Sequence, residues 1–176
     1  ALHILINNSG GPPGGQAIDA SLEQFRTAFN QHLICNQILT TLAVPLMKKE
    51  GYGRIINIIS TSVKAPIPGL GVSNTIRGAV GNWSKTLANE LGPFQITVNN
   101  ILPGATKTDR LFSIIENKAT KENKDIDEVR KKMEQEIPAR RFAEVHEVAQ
   151  AVAFLATPAA SYVNGVNLAV DGGRLP

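Results

Sequence analysis

The chain carries a single cysteine, Cys35, in 176 residues, which excludes an internal disulfide framework and fits a reducing compartment. A cytoplasmic location is therefore expected, and Cys35 reads as a small apolar helix residue. No apolar run is long enough to span a membrane, and no signal-peptide pattern opens the sequence. Charge of one sign is scarce as well. Eighteen Lys and Arg against 15 Asp and Glu leave a net +3, too small and too scattered for a nucleic-acid surface. There is no internal repeat, no domain linker and no initiating Met. The opening Ala1-Leu2-His3-Ile4-Leu5-Ile6 reads as a strand already under way, as in a fragment of a longer chain. What remains is 43% hydrophobic and 19% charged, enough for one sizeable core.

Pattern along the chain gives the architecture. Residues 1–6 are an apolar run closed by Asn7-Asn8-Ser9-Gly10-Gly11, the mark of a buried parallel strand. Gly10 to Gly15 (GGPPGG) must be loop. Ser21-Leu22-Glu23-Gln24 has capping-box form, and Leu22, Phe25, Phe29 and Leu33 start a helical stripe reaching about Met47. Pro45 is placed to kink its last turn, and Gly51 and Gly53 to end it. A strand over Arg54–Ile59 delivers the chain to Ser60 and Thr61, followed by a Pro/Gly-rich loop. Helix is expected from about Ser73 to Leu91, then a strand over Ile96–Leu102. Residues 111–137 are charged with weak periodicity and read as an exposed helix or mobile lid. Val145, Val148, Val152 and Leu155 mark a last helix, and Val166, Leu168 and Val170 a last strand.

Strands alternating with helices indicate an α/β fold, a parallel sheet with helices on both faces. Ligands bind such sheets beyond the carboxyl ends of the strands. Asn7-Asn8, Ser60-Thr61 and Pro103 to Thr108 all fall there. Ser73 and Arg77, four apart on one helix face, look toward the same place.

These segments resemble the classical short-chain dehydrogenase/reductase family over nearly the whole chain. Asn7-Asn8-Ser9-Gly10 resembles its NNAG turn, and Gly53 to Ser60 its strand ending in the catalytic Ser. Val98 to Gly104 resembles VNxVxPG, with Thr108 at the following Thr. Ile137 to Phe142 and Val170-Asp171-Gly172-Gly173 resemble its C-terminal signatures. The tone is nearest to 3-oxoacyl-carrier-protein-reductase-like members.

The resemblance implies a Rossmann-like, doubly wound sheet, with residues 1–176 as one partial domain lacking the glycine-rich N-terminal part. It also implies an NAD or NADP cofactor, a small carbonyl or alcohol substrate, and a homo-dimer or homo-tetramer built on the helices at 22–48 and 73–91. Ser60 takes the position of the catalytic Ser. Asn8, Gly10, Arg77, Pro103, Gly104, Thr106 and Thr108 take cofactor-side positions. The family's helix Asn falls at His32, with Asn36 one turn beyond.

Two departures stand out. The family's Tyr lies 13 residues after the Ser, and Lys four further on; here 73 − 60 = 13 leads to Ser73 and then Arg77, so YxxxK has become SxxxR. A Ser hydroxyl is a far weaker acid than a phenol with pKa near 10, and Arg does not shuttle protons. Neither Tyr52 nor Tyr162 can stand in by position, so a water or His32 would have to serve. The bland readings are a helix cap for Ser73, a structural salt bridge for Arg77 and a satisfied helix histidine for His32. The second departure is the missing glycine-rich loop. Without it the first strand has a bare apolar edge, and the segment alone is expected not to be a stable monomer. The expectation is thus an oxidoreductase, with a catalytically silent nucleotide- or partner-binding scaffold as the alternative.

Overall fold

The structure, a computed structural model, describes residues 1–175. Four parallel strands, β1 (Ile4–Asn7), β2 (Gly53–Ile58), β3 (Ile96–Pro103) and β4 (Asn167–Val170), lie in the order β1-β2-β3-β4. Six helices surround them: α1 (Leu22–Phe29), α2 (Cys35–Glu50), α3 (Gly71–Leu91), α4 (Asp109–Glu122), α5 (Ile126–Gln135) and α6 (Val145–Ala156). This is the Rossmann-like α/β arrangement expected.

Side-chain alternation splits the core into two layers. Ile55 and Val98 on one sheet face pack with Ala43 and Met47 of α2 and Ala88 and Leu91 of α3. Ile56 and Ile101 on the other face pack with Leu155 of α6 and Ala160. β2 and β3 are covered on both faces, so both carry buried apolar residues on each face, interrupted by buried polar ones such as Asn57 and Asn100. β1 was expected to be buried. It lies at the sheet's edge, bare and apolar as expected from the missing glycine-rich part, and Ile4 and Ile6 stand 42% and 48% exposed rather than buried.

One feature crosses the whole sheet. Asn7, Asn57, Asn100 and Asn167 are register partners on successive strands. Each side-chain amide donates to the next: Asn7 Nδ2 to Asn57 Oδ1 at 2.8 Å, Asn57 Nδ2 to Asn100 Oδ1 at 3.0 Å, Asn100 Nδ2 to Asn167 Oδ1 at 2.7 Å. Asn57 Nδ2 also donates to Ser84 Oγ on α3 at 3.2 Å.

Three expectations need correction. The helix expected from Ser21 to about Met47 is two helices joined by a π turn over Asn30–Ile34, and the second runs past Pro45 to Glu50. The continuous apolar stripe hides this insertion, which rotates His32 inward. Gly51 then ends α2 in the left-handed conformation at φ 62°. Residues 111–137 are not one exposed helix or loose lid. They form α4 and α5, whose Leu111, Ile115, Ala119 and Val129 enclose a small core with Ile137 and Phe142. The run looked aperiodic because so few of its positions are apolar. Finally, Ser73 does not cap α3, since the helix begins two residues earlier at Gly71. A Cβ at Gly71 would lie 2.2 Å from the Ala17 backbone nitrogen, so the first turn of α3 sits directly against the loop before α1.

Candidate functional site

The carboxyl ends of β1, β2 and β3 open onto the loops that the sequence singles out, and α3 brings its first turns to the same end. Ser60 follows β2 in extended conformation and caps a short 3₁₀ turn, its Oγ accepting from the Ser62 N–H at 3.1 Å. That bond uses a lone pair and leaves the Ser60 O–H free to donate. Ser73 is buried, and its Oγ accepts from Arg77 Nε at 3.3 Å, which likewise leaves its O–H free. Arg77 Nη1 also donates to the carbonyls of Ile58 (3.3 Å) and Ile59 (2.5 Å). A single guanidinium therefore ties the end of β2 to the first turns of α3. Burial, and after it the charge of Arg110, lower its pKa to about 10, so it remains a cation at neutral pH.

His32 lies in the π turn, buried, with Nδ1 2.8 Å from Ser9 Oγ. Burial first, then the charges of Arg77 and Arg110, lower its pKa to about 4. It is neutral at pH 7, so no imidazolium is at hand there to replace the phenol as proton donor.

This has a consequence for stability with a definite sign. Between pH 4 and 6.5 the unfolded chain binds a proton at His32 that the folded chain refuses. Stability contributed by the neutral ring is thus lost as pH falls from about 6.5 toward 4. In the full-length protein His32→Asn is expected to flatten that acid limb in denaturant titrations. An unchanged slope of stability against pH would refute it.

The loop after β3 is satisfied internally. Gly104 N–H donates to Val170 O, and a Cβ on Gly104 would lie 2.7 Å from Asp171 Cα, so only glycine passes β4 at this point. Thr106 Oγ1 donates to Gly104 O, while Thr108 caps α4 and donates to Thr106 O. Arg141 grips Glu147 with two bonds of 2.7 Å and pins the segment closing the α4–α5 core, holding the exposed Glu147 carboxyl at about pKa 2. Asn8 and Gly10 are exposed in the loop after β1. Neither Tyr approaches the hydroxyls by way of a bond. Tyr52 precedes β2 at its opposite end and donates to Ala156 O, and the side of Tyr162 is open to solvent.

Two participants carry no signal in the sequence. Ser9 holds His32. Arg110, in the first turn of α4, crosses to the loop after β1 and donates to Gly11 O at 3.4 Å and Pro12 O at 2.9 Å.

A parallel sheet with hydroxyls and a buried cation gathered beyond its strand ends has the arrangement of a Rossmann-like fold, whose ligands bind at that end. Comparison with known proteins narrows this. The family described as Enoyl-(Acyl carrier protein) reductase matches residues 1–174. The NADPH-dependent reductase BacG of Bacillus subtilis is 32% identical over 174 residues, covering 99% of this chain and 67% of that protein. The 7alpha-hydroxysteroid dehydrogenase of Escherichia coli K12 is 34% identical over 170 residues, covering 97% of this chain and 62% of that one. The crystal structure of YwfH, an NADPH-dependent reductase involved in bacilysin biosynthesis, superposes with a TM-score of 0.93 at 32% identity, over 98% of this chain and 66% of that one. The chain belongs to the short-chain dehydrogenase/reductase family. It spans roughly two thirds or less of the length of these relatives.

Proposed function

We propose that the full-length protein is an NAD(P)-dependent oxidoreductase that interconverts a carbonyl and a secondary alcohol, with a 3-oxoacyl thioester as one candidate substrate. The observation carrying this reading is the state of Ser60. Its oxygen is held by the Ser62 N–H, so its O–H is free to donate to a substrate carbonyl. Ser73 offers a second such donor, backed by the Arg77 cation.

The cofactor, when bound, supplies the hydride. Asn8, Gly10, Gly104, Thr106 and Thr108 are the residues placed to meet it, and NAD and NADP both remain candidates. Arg77 spends Nη1 and Nε on Ile58, Ile59 and Ser73, which leaves Nη2 to meet a ribose hydroxyl or a substrate group. The outer face of α2, with Ile38, Leu39, Leu42 and Leu46 between 42% and 67% exposed, supports self-association through α2 and α3 in a homo-dimer or homo-tetramer. Residues 1–176 belong to a single domain in this reading, in a cytoplasmic protein.

The test is NAD(P)H oxidation by the full-length protein against a carbonyl panel, beside Ser60→Ala. Slow turnover is expected, falling roughly 100-fold in kcat/KM in the variant, as for loss of one oxyanion donor. NADPH affinity should not change. Tight cofactor binding with no turnover of any carbonyl would favour the silent scaffold instead.

A further inference from the structure

We propose that the substrate of this site carries an anionic group, a carboxylate or phosphate beside its carbonyl, taken up between Arg110 and Arg77. This rests on the oxidoreductase reading above and names the class of substrate within it. Among the described residues neither guanidinium has a carboxylate within 4.0 Å, although Arg26, Arg130, Arg141 and Arg174 each have one. Asp109, next to Arg110 in the chain, makes no ion pair with it.

Each arginine is held in place by backbone carbonyls that orient it without neutralising it. Arg110 is fixed by Gly11 O and Pro12 O through Nη1 and Nη2, and its Nε has no partner. Arg77 is fixed by Ile58 O, Ile59 O and Ser73 Oγ through Nη1 and Nε, and its Nη2 has none. Each therefore keeps donors in reserve. Asn7 and Asn57 are register partners, so the loop that holds Arg110 at Gly11 and Pro12, and His32 at Ser9, leaves the sheet beside the strand end that Arg77 holds at Ile58 and Ile59. His32 itself is 4% exposed, and its Nε2 is buried without any partner. Two cations with no carboxylate partner, beside a buried ring nitrogen without a partner among the described residues, repel each other until an anion arrives.

The place of this charge assigns it to substrate. Arg77 shares the hydroxyl of Ser73, so a group lying between Arg77 and Arg110 is adjacent to the donors proposed for the reacting oxygen. Arg110 is also the bridge between α4 and the loop after β1, so the anion would bind where those two walls meet. The phosphates of the cofactor are the other source of such chemistry, and the test separates the two.

The experiment compares acetoacetate with methyl acetoacetate, which share the ketone and differ in charge, by calorimetric titration into the full-length protein. The acid is expected to bind about 10-fold more tightly than the ester, an advantage that shrinks with added salt. Arg110→Gln should bring the ratio near one with NADPH affinity unchanged, and Arg110→Lys should restore part of it. Equal affinity for acid and ester overturns the proposal, and so does an Arg110→Gln variant that loses NADPH while keeping the acid preference. If Arg110→Gln fails to fold, the ratio in the unaltered protein and its salt dependence decide. Turnover is read separately. A preference for the acid with no reduction of either compound leaves the anion site standing and removes the oxidoreductase reading. Reduction of both compounds with equal affinity does the reverse.

Discussion

Replacing Asn57 with Leu is expected to lower the stability of the full-length protein by about 3–5 kcal/mol, the largest loss from any single substitution discussed for this fold. Asn57 is fully buried and stands in the middle of the amide row. Its Oδ1 accepts from Asn7, and its Nδ2 donates to Ser84 and Asn100. Leu keeps the branched shape and removes all three bonds. It leaves a donor on Asn7, an acceptor on Asn100 and a hydroxyl on Ser84 without partners, and each buried orphan costs roughly 1–3 kcal/mol. Asn57→Asp is the sharper control. A carboxylate can still accept from Asn7, but it faces Asn100 Oδ1 with no proton to offer and brings a charge into the core. Both should be measured by denaturant unfolding. A loss below about 1 kcal/mol in Leu would mean that the row is incidental, since that is the value of one ordinary hydrogen bond.

The row also answers a problem that the sheet poses. β2 carries isoleucine on both faces, so a slip of one residue would exchange Ile55 for Ile56 and cost little in burial at those positions. It would, however, carry Asn57 from the α3 face to the α6 face, among Ile101 and Leu155, with no amide to meet. The amides thus select one register where hydrophobicity alone does not. At the β1 end the row stays open, because the buried Asn7 Oδ1 has no partner among the described residues.

The elements themselves were legible in the sequence. Apolar runs ending in Asn-Asn, Ser-Thr and Pro-Gly set three strand ends at the same side of the sheet before any coordinates. The row was not legible, because Asn7, Asn57 and Asn100 each read as part of a local motif, and their alignment exists only once the register does. The same holds for Arg110, whose carbonyl partners lie 99 and 98 residues away in the chain. The cap expected at Ser73 failed for a local reason: contact with Ala17 lets α3 begin at Gly71, earlier than a Ser-first reading allows. His32 illustrates the opposite limit. Its residue type suits acid–base work near neutrality, but the surroundings that remove that capacity, burial and two guanidinium groups, come from three separate elements.

Restoring the family pattern with Ser73→Tyr and Arg77→Lys together is expected to raise kcat by roughly 10²–10⁴-fold, the usual contribution of a positioned general acid. On the oxidoreductase reading proposed above, both hydroxyls would hold a carbonyl oxygen, but an aliphatic O–H yields its proton too reluctantly to finish a reduction. A phenol at position 73 would extend from the first turns of α3 past the place that Ser73 Oγ occupies now, toward the donor of Ser60. Lys at position 77 keeps a cation behind it, which lowers the phenol pKa from near 10, and its ammonium can still donate to the Ile59 carbonyl that Arg77 now holds. The two changes belong together. Tyr alone would push against the Arg77 Nε that bonds Ser73, and Lys alone would leave a weaker cation beside a hydroxyl that is still a poor acid. The pH–rate profile should gain an alkaline limb set by the phenol, absent from the unaltered protein. A double variant that binds NADPH normally and turns over no faster would show that proton supply does not limit this site, and the hydride step or substrate fit would then have to.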